Sequence, residues 1–190
     1  IGVLPLGMAA LAESVTEALR EWLSDRGGCT LLDVGGSTGD AAYSLALEYG
    51  LHATVLEPSD DERAQAASKG LATIAGAFDT WEPDRKYDVV TILQTLDHLS
   101  DPVAALRKVR QAVADDGLLL VDIVDFRMLA VGFKSLTKAV KIDHPCAWCD
   151  FNAAAALERA GFRAEAIGCG AEQGTLHHRG YAAKIARKVL

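Results

Sequence analysis

The chain has 190 residues, enough for one domain built around a single large core. Hydrophobic residues make up 50% and charged residues 24%, which excludes a mainly disordered chain. A formal net charge of -7 leaves no basic excess to neutralise phosphates, so no nucleic-acid partner is expected.

No apolar run approaches the roughly 18–20 residues of a membrane span, so no membrane partner is expected either. Ile1–Ala12 is apolar and uncharged, with no basic segment ahead of it, unlike a signal peptide. Met8, Leu11, Ala12, Val15, Leu19, Trp22 and Leu23 recur at helical spacing. They form one apolar stripe, so residues 1–27 read as a helical cap on the domain. The four cysteines are Cys29, Cys146, Cys149 and Cys169. A domain with a full core needs no disulfides, so a reducing, cytoplasmic setting is expected.

From there helix and strand alternate. Leu31–Val34 is an apolar run ending at Gly35 and reads as a buried strand. Asp40–Tyr49 reads as a helix stopped by Gly50, and Ala53–Leu56 as the next strand. Ser59 starts a second helix, with Glu62 three residues on as the other half of a capping box, and Gly70 ends it. Leu71–Ala75 is a short strand, and Tyr87–Leu93 is a strand rich in Val, Ile and Thr.

Asp101-Pro102 supplies an N-cap and a first-turn proline to a helix reaching about Ala114. Asp115-Asp116-Gly117 reads as a turn into Leu118–Val124, a strand that is apolar apart from Asp122. Phe126 to Val140 reads as one amphipathic helix. Asn152 reads as the cap of another, ending before Gly161. Phe162–Ile167 and Tyr181–Val189 close the chain as two strands joined by the short link Gly168–Thr175, so they should pair antiparallel. Strands separated by helices imply right-handed crossovers and a doubly wound α/β sheet within one domain, 1–190.

The informative segment is Asp33-Val34-Gly35-Gly36-Ser37-Thr38-Gly39-Asp40, which leaves a buried strand and opens a helix. In open α/β sheets ligands bind beyond the carboxyl ends of strands, and glycine lets backbone approach them closely. A dinucleotide loop needs glycine at positions one, three and six. Here those positions hold Gly35, Ser37 and Asp40, and the carboxylate of Asp40 would stand where a diphosphate belongs.

The run Asp33-Val34-Gly35-Gly36-Ser37-Thr38-Gly39 resembles the first motif of the class I S-adenosylmethionine (SAM)-dependent methyltransferases, acidic-x-Gly-x-Gly-x-Gly, with Ser37 in place of the middle glycine. Further segments resemble the same family in order and spacing. They are Glu57-Pro58 after the second strand, Gly76-Ala77-Phe78-Asp79 after the third, and Gln94-Thr95 with His98-Leu99-Ser100-Asp101-Pro102 after the fourth. His144, Phe151-Asn152 and Ala160-Gly161-Phe162 complete the set. The resemblance covers about residues 30–190.

That resemblance implies a three-layer Rossmann-like fold. Its seven-stranded, mostly parallel sheet would have the order 3-2-1-4-5-7-6 with strand 7 antiparallel. It implies SAM as cofactor, S-adenosylhomocysteine as its product, and a small-molecule acceptor. Asp33, Gly35, Gly36, Ser37 and Gly39 would form the cofactor loop. Glu57, with Pro58, would take the ribose hydroxyls, a role the second strand's acidic end also has in nucleotide folds. Ala77, Phe78 and Asp79 would meet the adenine. The family often has an aspartate where Ala77 stands, so Asp79 or backbone groups would replace it. Gln94 and Thr95 would border the methionine part. His98 and His144 are the candidate bases or acceptor contacts, and 126–150 is the expected substrate lid.

Cys146-Ala147-Trp148-Cys149 contains a single CxxC. A structural zinc wants four ligands and nothing in the sequence gathers them, so these cysteines are expected in packing and no metal is expected. Two other functional readings stay open on the sequence. One is a SAM-binding protein without transfer activity. The other is an NAD(P)-dependent oxidoreductase on a similar sheet.

Overall fold

The computed structural model describes residues 20, 23–24, 27–140, 145–170 and 181–188. Most of the 1–27 cap, His144 and the link after Gly170 therefore lie outside the described residues. Seven strands make one sheet of order β3-β2-β1-β4-β5-β7-β6, as the sequence led us to expect. They are β1 Thr30–Val34, β2 His52–Glu57, β3 Ala72–Ala75, β4 Tyr87–Leu93, β5 Val113–Val124, β6 Phe162–Gly170 and β7 Tyr181–Lys188. The first five pair in parallel. β7 runs antiparallel to both β5 and β6.

Helices cover both faces because the strands are apolar on both. One face packs Leu31, Val55, Val89, Leu118 and Leu120 against Ala42 and Leu45 of α1 (Asp40–Tyr49), Ala66 of α2 (Asp60–Ser68), and Leu23. The other packs Leu32, Val90, Leu119 and Val121 against Leu106 and Val109 of α3 (Pro102–Ala112) and Leu157 of α6 (Asp150–Arg159). The chain runs from β1 outward to β3 and then returns to place β4 on the other side of β1. The carboxyl ends of β1 and β4 therefore flank the crevice where strand order reverses, the usual ligand position in such sheets.

Three local expectations need correction. The helix read over Phe126–Val140 is two, α4 (Phe126–Phe133) and α5 (Leu136–Ala139). Lys134 adopts a left-handed conformation (φ 50°) at the end of α4 and breaks the run, which apolar periodicity alone cannot reveal. Asn152 does not cap α6 from outside. It is the third helical residue, and its Oδ1 accepts the backbone N–H of Cys149 at 2.7 Å. Asp115–Gly117 lies inside β5, where the register against β4 jumps between Tyr87 and Val89. The turn composition is thus absorbed as an irregularity of a paired strand.

The side-chain caps of α2 and α3 form at Ser59 and Asp101 as expected, but the reciprocal half of the α2 capping box does not, because the Ser59 N–H goes to Glu57 Oε1 at 3.0 Å instead of to Glu62. Ser59 Oγ accepts from Glu62 N at 3.4 Å, and Asp101 Oδ1 accepts from Ala104 N at 2.9 Å. Asp101→Ala should lower stability by about 1 kcal/mol. Leu106→Ala, which empties a fully buried position, should lower it by about 2–5 kcal/mol. Urea unfolding of both variants checks this ranking, and equal losses would contradict it.

Candidate cofactor site

The loop between β1 and α1 is shaped by contacts that admit no side chain. Gly39 has φ +76°, and a Cβ there would stand 2.6 Å from Leu71 Cδ1 and 3.0 Å from Ala66 Cβ. A Cβ on Gly36 would stand 2.6 Å from Asp33 Oδ2. Ser37 is left-handed at φ 50°, which explains why glycine suits that place and what a serine there must overcome. Its backbone N–H is held by Glu57 Oε2 at 3.1 Å.

Two buried carboxylates bracket this loop, in opposite conditions. Glu57 ends β2 and is held by two backbone donors. It accepts Ser37 N and, through Oε1, Ser59 N at 3.0 Å. The carboxylate thus points at the loop, and Glu62 also hydrogen-bonds to it. Glu62, on the first turn of α2, faces Glu57 and Ser37. Burial, then the Glu57 charge, raises its carboxyl above the usual range.

Asp33 is 1% exposed on β1. Its Oδ1 accepts the Thr91 hydroxyl at 2.7 Å, while Oδ2 is buried without a hydrogen-bond partner. Burial raises its pKa to about 6 against the lowering effect of Thr91, with the Glu57 charge adding to the rise.

On the far side of the crevice, Gln94 and Thr95 leave β4. A Cβ on Gly35 would stand 2.6 Å from Thr95 Oγ1, so the two loops touch. Gln94 is left-handed (φ 51°), and its N–H donates to Asp122 O at 3.0 Å. Among the described residues, two of the three positive-φ residues other than glycine, Ser37 and Gln94, thus stand at the ends of β1 and β4. Strain of this kind gathers where a site must be held in shape.

Asp40, read from sequence as an obstacle to anions, is neutralised. Lys69 Nζ pairs with its Oδ1 at 2.7 Å and also donates to Thr38 O. This strap ties the end of α2 to the loop.

The remaining predicted residues are placed as follows. Pro58, Ala77 and Asp79 are exposed. Phe78 is buried against Trp81, centroids 6.1 Å apart, and Lys108 donates to the carbonyls of Phe78 and Asp79. The contacts of this turn thus run to α3 and Trp81. His98 is exposed in the short 3-10 turn Leu96–His98. His144 lies outside the described residues. Cys146 and Cys149 are free thiols, the first partly and the second fully buried.

Sequence reasoning missed Thr91, Lys69 and Glu62. A threonine inside the apolar run of β4 was the available signal for the first. The other two reach the loop only through the fold.

The raised pKa of Asp33 carries a sign. The folded state gains where this carboxyl is protonated. That gain is complete below the unfolded value of 3.8 and is lost as pH rises through about 6. Relative to Asp33→Asn, the wild type should therefore lose on the order of 2–3 kcal/mol of stability between pH 4 and pH 8. Denaturant titrations of the ligand-free proteins at both pH values measure this. Parallel pH profiles would refute the buried-charge assignment.

Comparison with known proteins shows the family. A family model described as "Methyltransferase domain" matches residues 8–167. The ubiquinone/menaquinone biosynthesis C-methyltransferase UbiE of Roseobacter denitrificans is 33% identical over 115 residues, 55% of this chain and 46% of that protein. The ubiquinone biosynthesis O-methyltransferase of Aeromonas salmonicida is 28% identical over 138 residues, 63% of this chain and 57% of that protein. The chain thus spans about half the length of these curated relatives. Among solved structures, the DhpI-SAH complex superposes with a TM-score of 0.68 at 20% identity, covering 97% of this chain and 88% of that one. With a family model spanning most of its length on the expected sheet, the chain belongs to the methyltransferase-domain family, the SAM-dependent class with a Rossmann-like fold.

Proposed function

We propose that this chain binds SAM in the crevice between β1 and β4 and transfers its methyl group to a small-molecule acceptor. The single observation that carries the reading is the orphaned Oδ2 of Asp33 beside a glycine backbone that tolerates no Cβ. A buried, half-satisfied carboxylate calls for a cation or donor to complete it. SAM, when bound, supplies an electrophilic methyl on a sulfonium centre and carries an ammonium group.

The chain's own residues would then divide the work. Gly35–Gly39 let the backbone approach. Asp33 offers negative charge beneath the loop. Glu57 would accept hydrogen bonds from ribose hydroxyls. The Ala77–Asp79 turn would border the adenine, and Gln94 and Thr95 the methionine part. Alignment of this kind contributes on the order of 7–11 kcal/mol at best to a displacement.

The acceptor side falls to the segment after β5. Val131, Phe133, Leu136 and Val140 expose apolar surface there, which suits the lid role and an acceptor with an apolar body. His98, on the turn after β4, and His144 remain the histidines offered for acceptor contact. The two relatives are named for carbon and oxygen methylation in quinone biosynthesis. Their names support a small-molecule acceptor and leave the atom open. No helix among the described residues is long and apolar enough to cross a membrane.

Calorimetry with S-adenosylhomocysteine and a methyl-transfer assay with labelled SAM test the reading. Catechol, hydroquinone and aniline serve as probe acceptors. Binding should be tight enough to raise the melting point. Glu57→Ala should weaken it about 100-fold or more, the cost of two charge-assisted hydrogen bonds of about 1.5–3 kcal/mol each. A thermal response to NAD(P) alone would overturn the assignment. Binding without transfer to the probes or to any lysate component would favour a binding protein without transfer activity.

A further inference from the structure

The cofactor crevice lies at the carboxyl ends of the strands. The opposite end of the sheet carries a second concavity, which the cofactor reading leaves unused. Thr30, His52 and Ala72 line it, and these are the first residues of β1, β2 and β3. A mismatch of strand lengths creates it. The register of β2 with β3 begins at Thr54, opposite Ala72, so the edge of the sheet is notched beside His52 and Ala53. Helix α1 and the turn at Lys69 and Gly70 wall the notch. The hollow holds about 460 Å³, within the range of roughly 300–1,000 Å³ usual for small-molecule sites.

The lining has two characters. Tyr43, Ala46 and Leu47 recur at i, i+3 and i+4 on α1 and make one apolar wall, joined by Leu51 and Leu71. Leu47 is 74% exposed, so a ligand in the groove can reach it. The charged residues of the lining are Lys69 and Arg85, both basic, in a chain whose net charge is -7.

The two cations differ in their commitments. Lys69 is shared with Asp40. Arg85 meets no carboxylate at ion-pair distance among the described residues, although neighbouring Asp84 attracts it from further off. Its guanidinium is nonetheless held in place. Nη2 donates to Thr54 Oγ1 at 3.2 Å, and the central carbon stands 4.6 Å above the Tyr87 ring. A planar fork fixed in this way has more donors than its anchor uses and matches the geometry of a carboxylate.

We propose that this groove is a second small-molecule site, for an organic carboxylate with an apolar body. The carboxylate meets the Arg85 fork, with Lys69 adding positive charge. The apolar body lies along Tyr43, Leu47 and Leu51. The site is separate from the cofactor crevice and does not depend on the methyl-transfer reading.

Hexanoate, hexanamide and hexylamine share an apolar chain and differ in charge, so they serve as probes. Each is titrated into the full chain and followed by proton–nitrogen NMR. Hexanoate should move the backbone amides of Leu47, His52 and Ala72 and the Arg85 side-chain Nε–H, with a Kd on the order of 1 mM or tighter. Hexanamide should bind at least about 10-fold more weakly, the worth of a hydrogen bond to a charged group, and hexylamine more weakly still.

Arg85→Gln should bring hexanoate down to the level of hexanamide. Leu47→Asp, a change at an exposed position, should abolish hexanoate binding while the urea midpoint stays unchanged, which separates loss of the site from loss of the fold. Equal binding of hexanoate and hexanamide overturns the proposal, as do amide movements gathered at the β1–β4 crevice instead of the groove. A dimer in sedimentation that Leu47→Asp dissociates also overturns it, because a second copy of the chain would then fill the groove.

Discussion

The carboxylate of Asp33 is the constraint around which this site is arranged. Packing of the central strand takes it out of water, and the fold gives it one donor, the hydroxyl of Thr91. The second oxygen lies against the backbone of Gly36, where any side chain would collide with it. An unfinished buried anion costs stability, and that cost is what makes it useful. In the proposed reading, a cation at the loop supplies the partner that this oxygen lacks. Glu57 answers a different need. Its two backbone donors hold it in place before any ligand arrives, so it is an organised acceptor.

The topology delivers these groups to one crevice. Strand order reverses between β1 and β4, the place where ligands bind in open α/β sheets. Left-handed residues at both strand ends turn the chain sharply there. The strap from Lys69 to Thr38 and Asp40 then holds the loop from the side of α2. Beyond β4, Gln94 bonds to Asp122 through both its backbone N–H and its side-chain amide.

Much of this was legible in the sequence, for local reasons. Buried parallel strands read as unbroken apolar runs, and Tyr87–Leu93 emerged with the bounds the pattern suggested. Ser59 and Asp101 announced helix starts because capping chemistry is local. Gly35, Gly36, Gly39 and Glu57 could be placed because their spacing is set by one strand-loop-helix unit and its neighbour. What stayed hidden depends on contacts distant in sequence. Thr91 meets Asp33 only because β4 pairs with β1, and Lys69 reaches Asp40 across 29 positions. The break at Lys134 escaped because a left-handed cap on lysine leaves no compositional trace. Asn152 was misplaced by three positions because a side chain can satisfy a helix end from inside as well as from outside.

The most direct measurement follows the Asp33 carboxyl by carbon-13 NMR as pH is varied, with and without saturating SAM. The account predicts a midpoint near 6 in the free chain and a fall of about one unit or more with the cationic cofactor in place, the usual response of a carboxylate to an opposite charge beside it. A midpoint that stays put in the saturated complex would contradict the account, because the cofactor would then lie elsewhere.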